Sequence, residues 1–374
     1  MDEFLDFVVS DNDGKVREIL ETISSKVFDK ETALGETSLL DFKITDLEDA
    51  FVEAAFAGSI NCLQALHKYV PDVNCQGRLR DSCPDYLISP LRAAVEADRV
   101  EVVHWLCTSG ARPNRRECLY SINYDDVISG PNFSNHCAVS CYVPLHFAQS
   151  RACAETLLKH GADINAQDCM SKTPLSMATL DGRLVVMETL CENGAHVGLG
   201  STWGATPLVY AQYARRKTDR ISATEILCRY GACVNFQDKN GRSALHVTRD
   251  PECLRVLLSY GGDPSLETIF GKTPVVMAAE AGNWEIVRML FDAQPRVELG
   301  LLARGVALCN QLPLDVFSWL LRASREVREL KHLCRCVIRT TLVRTRGNLD
   351  DAIITLPLPT RVKLYLALLQ HAKN

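Results

Sequence analysis

The chain has 374 residues, 47% of them hydrophobic and 23% charged, with a formal net charge of −5. That is globular composition, which excludes a disordered chain, and so small a charge argues against a protein whose main work is holding nucleic acid. No uncharged apolar stretch approaches the roughly 20 residues that cross a bilayer, so no membrane role is expected.

The first residues, Met1-Asp2-Glu3, are acidic where a secretory signal is basic, and a cytoplasmic or nuclear chain is expected. The 16 cysteines are scattered, many inside apolar helix patterns, as Cys107, Cys191, Cys228 and Cys253 are. They read as reduced thiols packed as small hydrophobes. Val8, Val9, Val16, Ile19 and Leu20 flank the polar stretch Asp11 to Gly14 and suggest a degenerate capping repeat over 1–45. Another degenerate repeat runs from Asp49 through Ala54-Ala55 and Gly58 to Asp72-Val73-Asn74.

From Ser89 a phrase recurs: Ser89-Pro90-Leu91-Arg92, Val143-Pro144-Leu145-His146, Thr173-Pro174-Leu175-Ser176, Thr206-Pro207-Leu208-Val209, Ser243-Ala244-Leu245-His246 and Thr273-Pro274-Val275-Val276. Its second positions are spaced 54, 30, 33, 37 and 30 residues apart. Ser or Thr supplies an N-cap oxygen, and Pro suits the first helical position, where an N–H has no partner. Small residues follow (Ala93, Ala94, Ala148, Ala178, Ala211, Ala278, Ala279) and let first helices pack closely. Second helices carry apolar residues at helical spacing, as in Val102, Val103, Leu106 and Ile286, Val287, Leu290. Gly110, Gly161, Gly194, Gly231 and Gly261 end them. The 33-residue period with this opening resembles the ankyrin repeat, and about seven such units are expected over 46–296.

Two spacings break the period. An insertion falls around Arg115 to Tyr142 (near 115–142) and a smaller one around Ala214 to Arg220 (near 214–220), and in repeat proteins such insertions become surface loops. Arg215, Arg216, Lys217 and Arg220 form a basic cluster, readable either as a partner contact or as a solvated loop. Trp203, Tyr210 and Tyr213 join them as candidate substrate-binding residues, with core packing as the other account of the aromatics. His136, Cys137, Cys141 and His146 have zinc-like spacing, but His146 belongs to its repeat phrase and no second cysteine pair completes a site, so no metal and no cofactor are expected. Gly198 to Gly204 has the wrong spacing for a dinucleotide loop, no nucleophile motif is found, and no catalytic residue is assigned.

Repeat character fades after Ala293, and 297–323 reads as a helical connector closing the repeats. From Arg322 to Arg346 the composition turns basic. Leu330, Cys334 and Ile338 are four apart and share one helical stripe, Leu356-Pro357-Leu358-Pro359 follows, and Val362, Leu364, Leu366, Leu368 and Leu369 form an apolar set on a last helix. This order, over 324–374, resembles the SOCS box, and with the repeats before it the chain resembles the ankyrin repeat and SOCS box family over nearly its whole length. Glu329 departs from the family pattern, which has Ser, Thr or Pro there.

The resemblance implies an all-α fold, an ankyrin solenoid of helix-turn-helix units followed by a three-helix SOCS box. It implies that Leu330 and Cys334, with Ile338 beside them, bind Elongin C, itself joined to Elongin B, and that Leu356, Pro357, Leu358 and Pro359 select Cullin-5 with its RING protein. The chain is then a non-enzymatic substrate-recognition adaptor of a ubiquitin ligase that leads a protein substrate, unidentified by the sequence, to the proteasome. The alternative is an ankyrin scaffold without any ligase role.

Overall fold

The computed structural model describes residues 2–29, 44–80, 87–120 and 139–293. The connector 297–323, the box 324–374 and the middle of the large insertion, with His136 and Cys137, lie outside the described residues. The helices are α1 (Asp2–Val9), α2 (Asp13–Asp29), α3 (Ile44–Ala57), α4 (Ile60–Leu66), α5 (Pro90–Glu96), α6 (Val100–Thr108), α7 (Arg151–Lys159), α8 (Pro174–Asp181), α9 (Leu184–Glu192), α10 (Pro207–Ala211), α11 (Lys217–Arg229), α12 (Ala244–Val247), α13 (Pro251–Ser259), α14 (Pro274–Glu280) and α15 (Trp284–Ala293). A 3-10 turn, Pro144–Phe147, stands where a first helix is expected before α7. Strand is confined to an antiparallel pair, β1 (Glu117–Tyr120) with β2 (Val139–Tyr142), and one isolated bridge among the described residues. Helix dominates, as the ankyrin resemblance implies.

The chain divides into two compact units, Met1–Thr202 with Ala214–Ile226, and Trp203–Tyr213 with Leu227–Asn374. In the first, α3 packs on α5, α5 on the 3-10 turn and that turn on α8, while α6 packs on α7 and α7 on α9. In the second, α10 packs on α12, α12 on α14 and α13 on α15. The small residues of the first helices (Ala93, Ala94, Ala148, Ala178, Ala211, Ala279) are fully buried, as are Val103, Leu106, Ile286, Val287 and Leu290 of the second helices.

The uneven repeat lengths have local causes. The two 30-residue repeats are three residues short of 33, and they are the ones whose first helix shrinks to the four residues Pro144–Phe147 or Ala244–Val247. The 37-residue repeat is four residues long, and its second helix, α11, has 13 residues where α6, α9 and α13 have 9. The expected surface loop at 214–220 is therefore corrected in part: Lys217 to Arg220 form the first turn of α11, where Asp219 complements the helix dipole. At 115–142 the ends of the insertion pair as β1 and β2, whose Cys-Leu-Tyr and Val-Ser-Cys-Tyr segments suit extended backbone.

First-helix starts use three different caps. Ser89 and Thr173 hydroxyls each accept from the backbone N–H three residues on, at 3.2 Å. His146 and His246 instead accept the N–H of Val143 and Ser243 at Nδ1, 3.3 and 3.1 Å, which leaves Nε2–H to donate to the carbonyls of Lys172 and Lys272, each 3.1 Å away. Each histidine thus closes its own helix start and ties it to the next repeat. Burial lowers the affinity of both rings for a second proton, against the opposing pull of those carbonyls.

In the α5 repeat that position holds Arg92, and the missing acceptor comes from the insertion. Glu117 Oε2 accepts the Ser89 N–H at 3.3 Å, and Oε1 accepts the Ser89 hydroxyl. Arg92 Nη1 lies 3.8 Å from Glu117, its Nη2 pairs with Glu96 at 2.8 Å, and its guanidinium stands 4.2 Å over the Phe147 ring. Arg92 and Glu117 are both 1% exposed, so the base of the insertion is fastened to α5 by a buried polar cluster.

Candidate functional site

Three of the repeats begin in a turn closed by one side chain, Asp168, Asp238 or Thr268. In the second compact unit Asp238 Oδ1 accepts the N–H groups of Asn240 and Arg242, both at 2.8 Å, and Thr268 Oγ1 accepts those of Phe270 and Lys272 at 3.3 and 3.1 Å. Neighbouring turns bond edge to edge: Lys239 N–H donates to the Trp203 carbonyl at 3.0 Å and Ile269 N–H to that of Asn240 at 3.1 Å. Gln237 adds a bridge, donating to the carbonyls of Gly241 (2.7 Å) and Glu267 (2.8 Å).

The tips of this row face solvent. Trp203 is 52% exposed, Ile269 64% and Phe270 74%, with exposed Lys239 between them in chain order. Arg242 is held by Asp238 at 3.0 Å and Lys272 by Glu280 at 2.8 Å, which leaves Lys239 as the outward cation of the row. Large apolar side chains on turns fixed by backbone bonds supply contact area at little ordering cost, the property a protein-binding surface needs.

Among the expected candidates, Trp203 belongs to this row. Tyr210 is half-buried on α10, and Tyr213 is 50% exposed just beyond it, its N–H donating to the Tyr210 carbonyl at 2.9 Å. Arg215, Arg216 and Lys217 are exposed; Arg220 is half-buried and its Nε is shielded without a hydrogen-bond partner. The aromatics fall in the second compact unit and the basic cluster in the first. Ile269 and Phe270 escape a search for insertions and basic clusters. Register would find them, because Phe270 stands three residues before Thr273 as Trp203 does before Thr206. Leu330, Cys334, Ile338 and Leu356 to Pro359 lie outside the described residues.

Most of the described thiols are packed rather than poised, although Cys233 is exposed. Burial pushes Cys62, Cys75 and Cys153 up to about 12 and Cys107, Cys191 and Cys228 to about 11, so little thiolate exists at neutral pH. Cys253 is buried as well. His146 is fully buried in the capping bonds given above, and Cys141 is half-buried on β2. No helix among the described residues is long and apolar enough to cross a membrane.

Two family models match the chain: the ankyrin repeat over residues 141–169 and the SOCS box over residues 326–367. Among curated proteins, human Rabankyrin-5 is 31% identical over 163 residues, which are 41% of this chain and 14% of that protein. Inversin from Canis lupus familiaris is 30% identical over 153 residues, 39% of this chain and again 14% of the relative. The chain therefore matches only a small part of these relatives' length. Ankyrin repeats bind proteins and a SOCS box is linked to Elongin–Cullin ubiquitin ligases; both are non-catalytic adaptor modules. The chain thus carries an ankyrin repeat and a SOCS box in a single polypeptide, the combination that matches an ankyrin repeat and SOCS box protein.

Proposed function

We propose that the chain is the substrate-recognition subunit of an Elongin B/C–Cullin-5 ubiquitin ligase. The observation that carries this is the succession of ankyrin repeat and SOCS box in one polypeptide, with Leu330, Cys334, Ile338 and Leu356 to Pro359 all inside the matched 326–367 segment. Leu330, Cys334 and Ile338 then enter Elongin C as one apolar stripe, and Leu356 to Pro359 select Cullin-5. The repeats hold the substrate, and the finger row of Trp203, Lys239, Ile269 and Phe270 is its strongest candidate surface, beside Tyr210, Tyr213 and the Arg215, Arg216, Lys217 and Arg220 cluster. The chain contributes proximity, raising the effective concentration of substrate lysines near a charged ubiquitin-conjugating enzyme brought by the RING protein.

The test is capture of purified Elongin B/C by the full chain. Leu330→Ala with Cys334→Ala is expected to abolish capture, and Pro357→Ala with Pro359→Ala to weaken Cullin-5 recruitment while Elongin binding stays. Wild-type chain that fails to capture Elongins would instead be an ankyrin scaffold outside ubiquitin transfer.

A further inference from the structure

We infer that His104 and His160 form a two-histidine site for a divalent first-row transition cation, joining two successive repeats of the first compact unit. His104 is exposed on α6 and His160 is the half-exposed residue capping the C-terminus of α7. His104 Nδ1 and His160 Nε2 stand 3.1 Å apart, with ring centroids 5.1 Å apart and the planes at 52°. At a metal–nitrogen distance of about 2.0–2.1 Å, that 3.1 Å separation subtends a ligand–metal–ligand angle of about 95–102°, between a square or octahedral cis pair and a tetrahedral one. A swing of the rings would aim the two lone pairs at one point; His104 is exposed and His160 half-exposed.

The backbones carrying the rings are already fixed to each other. Second helices α6 and α7 pack together. Next to His160, the Gly161 carbonyl accepts from Asn114 Nδ2 at 2.8 Å, and the Asp163 N–H donates to Asn114 Oδ1 at 2.7 Å. Without a cation the rings share one N–H···N hydrogen bond. With a cation on His104 Nδ1 and His160 Nε2, each neutral ring keeps its single proton on the other nitrogen, so the tautomers rearrange and no net charge is lost from either ring. Among the described residues no group of three or more His, Cys, Asp or Glu is arranged around a common point, so water completes the coordination. Imidazole donors favour nickel, copper and zinc over magnesium or calcium, and an open two-ligand site holds them more weakly than a closed four-ligand one. A cation held by both rings binds the folded chain more tightly than the unfolded one, whose free thiols and imidazoles compete for it, and to that extent clamps α6 to α7.

The experiment titrates the metal-free full chain with Ni(II), followed by calorimetry and by thermal unfolding. The expected result is saturable binding, with an unfolding midpoint raised by a few degrees at saturation. His104→Ala and His160→Gln are each expected to weaken binding at least about tenfold and to leave the metal-free midpoint unchanged. The glutamine keeps a hydrogen-bonding amide while being a poor metal ligand, so it separates cation binding from the histidine–histidine hydrogen bond. His196→Ala, at another exposed histidine, is expected to change neither quantity. Absence of binding into the millimolar range overturns the assignment, and so does binding of wild-type strength in either His104→Ala or His160→Gln.

Discussion

Replacing Glu117 separates the two roles that its carboxylate combines at the head of α5. As an acceptor it takes the Ser89 N–H and hydroxyl, and as an anion it faces Arg92 at 3.8 Å, all in a fully buried setting. Glu117→Ala leaves two buried donors of Ser89 without that acceptor, at about 1–3 kcal/mol each, and so costs about 3 kcal/mol. Arg92 keeps Glu96 at 2.8 Å in either variant, so its charge is not left alone. Glu117→Gln keeps an acceptor for Ser89 and relieves the desolvation of the charge, so its cost is about 1 kcal/mol, that of an ordinary buried hydrogen bond. Burial raises the Glu117 carboxyl above its ordinary value of 4.5, against Ser89 and Arg92, which lower it. A raised carboxyl contributes stability below 4.5 and loses it as pH rises through the folded value, so the gap between wild type and Glu117→Gln should narrow from pH 4.5 upward. Hydrogen exchange of the α5 amides is the assay, since it reads local opening; 3 kcal/mol corresponds to roughly a hundredfold faster exchange. If the glutamine variant opens as readily as the alanine variant, the ion pair and not the helix cap holds the cluster, and the reasoning fails.

Further expectations concern other elements. His146 and His246 have ring values lowered by burial, so the stability they contribute is present above pH 6.5 and is lost as pH falls below it. Paired urea titrations at pH 7.5 and 5.5 should show wild type losing more than His146→Gln or His246→Gln. Arg183 donates to the carbonyls of His146 (2.8 Å) and Ala148 at the end of the 3-10 turn, and Arg183→Met should cost about 2 kcal/mol, measured by chemical denaturation. An unchanged midpoint would show that water replaces it. Gly241 and Gly231 both have positive φ, but a Cβ on Gly241 would meet Ile269 N at 2.7 Å while one on Gly231 meets nothing within 4 Å. Gly241→Ala should therefore lower the melting midpoint clearly more than Gly231→Ala, which adds only the conformational cost of about 1 kcal/mol. Trp203→Ala with Phe270→Ala should weaken substrate capture by about 2 kcal/mol or more and barely move the melting midpoint, because both side chains are exposed. Capture at wild-type strength in that double variant would exclude the finger row as the substrate surface.

Local chemistry is what the sequence by itself determines here. A hydroxyl before Pro at 90, 174, 207 and 274 marks helix starts, alanines mark the close-packed first helices, and glycines mark helix ends, because each depends on neighbours within a few residues. The period carries the repeat fold, and even its irregularities are informative: a deficit of three shortens a first helix and an excess of four lengthens α11. Tertiary structure decides the contacts between residues far apart in the chain. Nothing in the spacing of Ser89 and Glu117 says that a carboxylate 28 residues away completes that helix cap. No spacing rule unites His104 with His160, 56 residues apart, because their meeting depends on how α6 packs on α7. The exposure of Ile269 and Phe270 is likewise a packing outcome: apolar residues in a sequence read as core until the turn that carries them is seen to point into solvent.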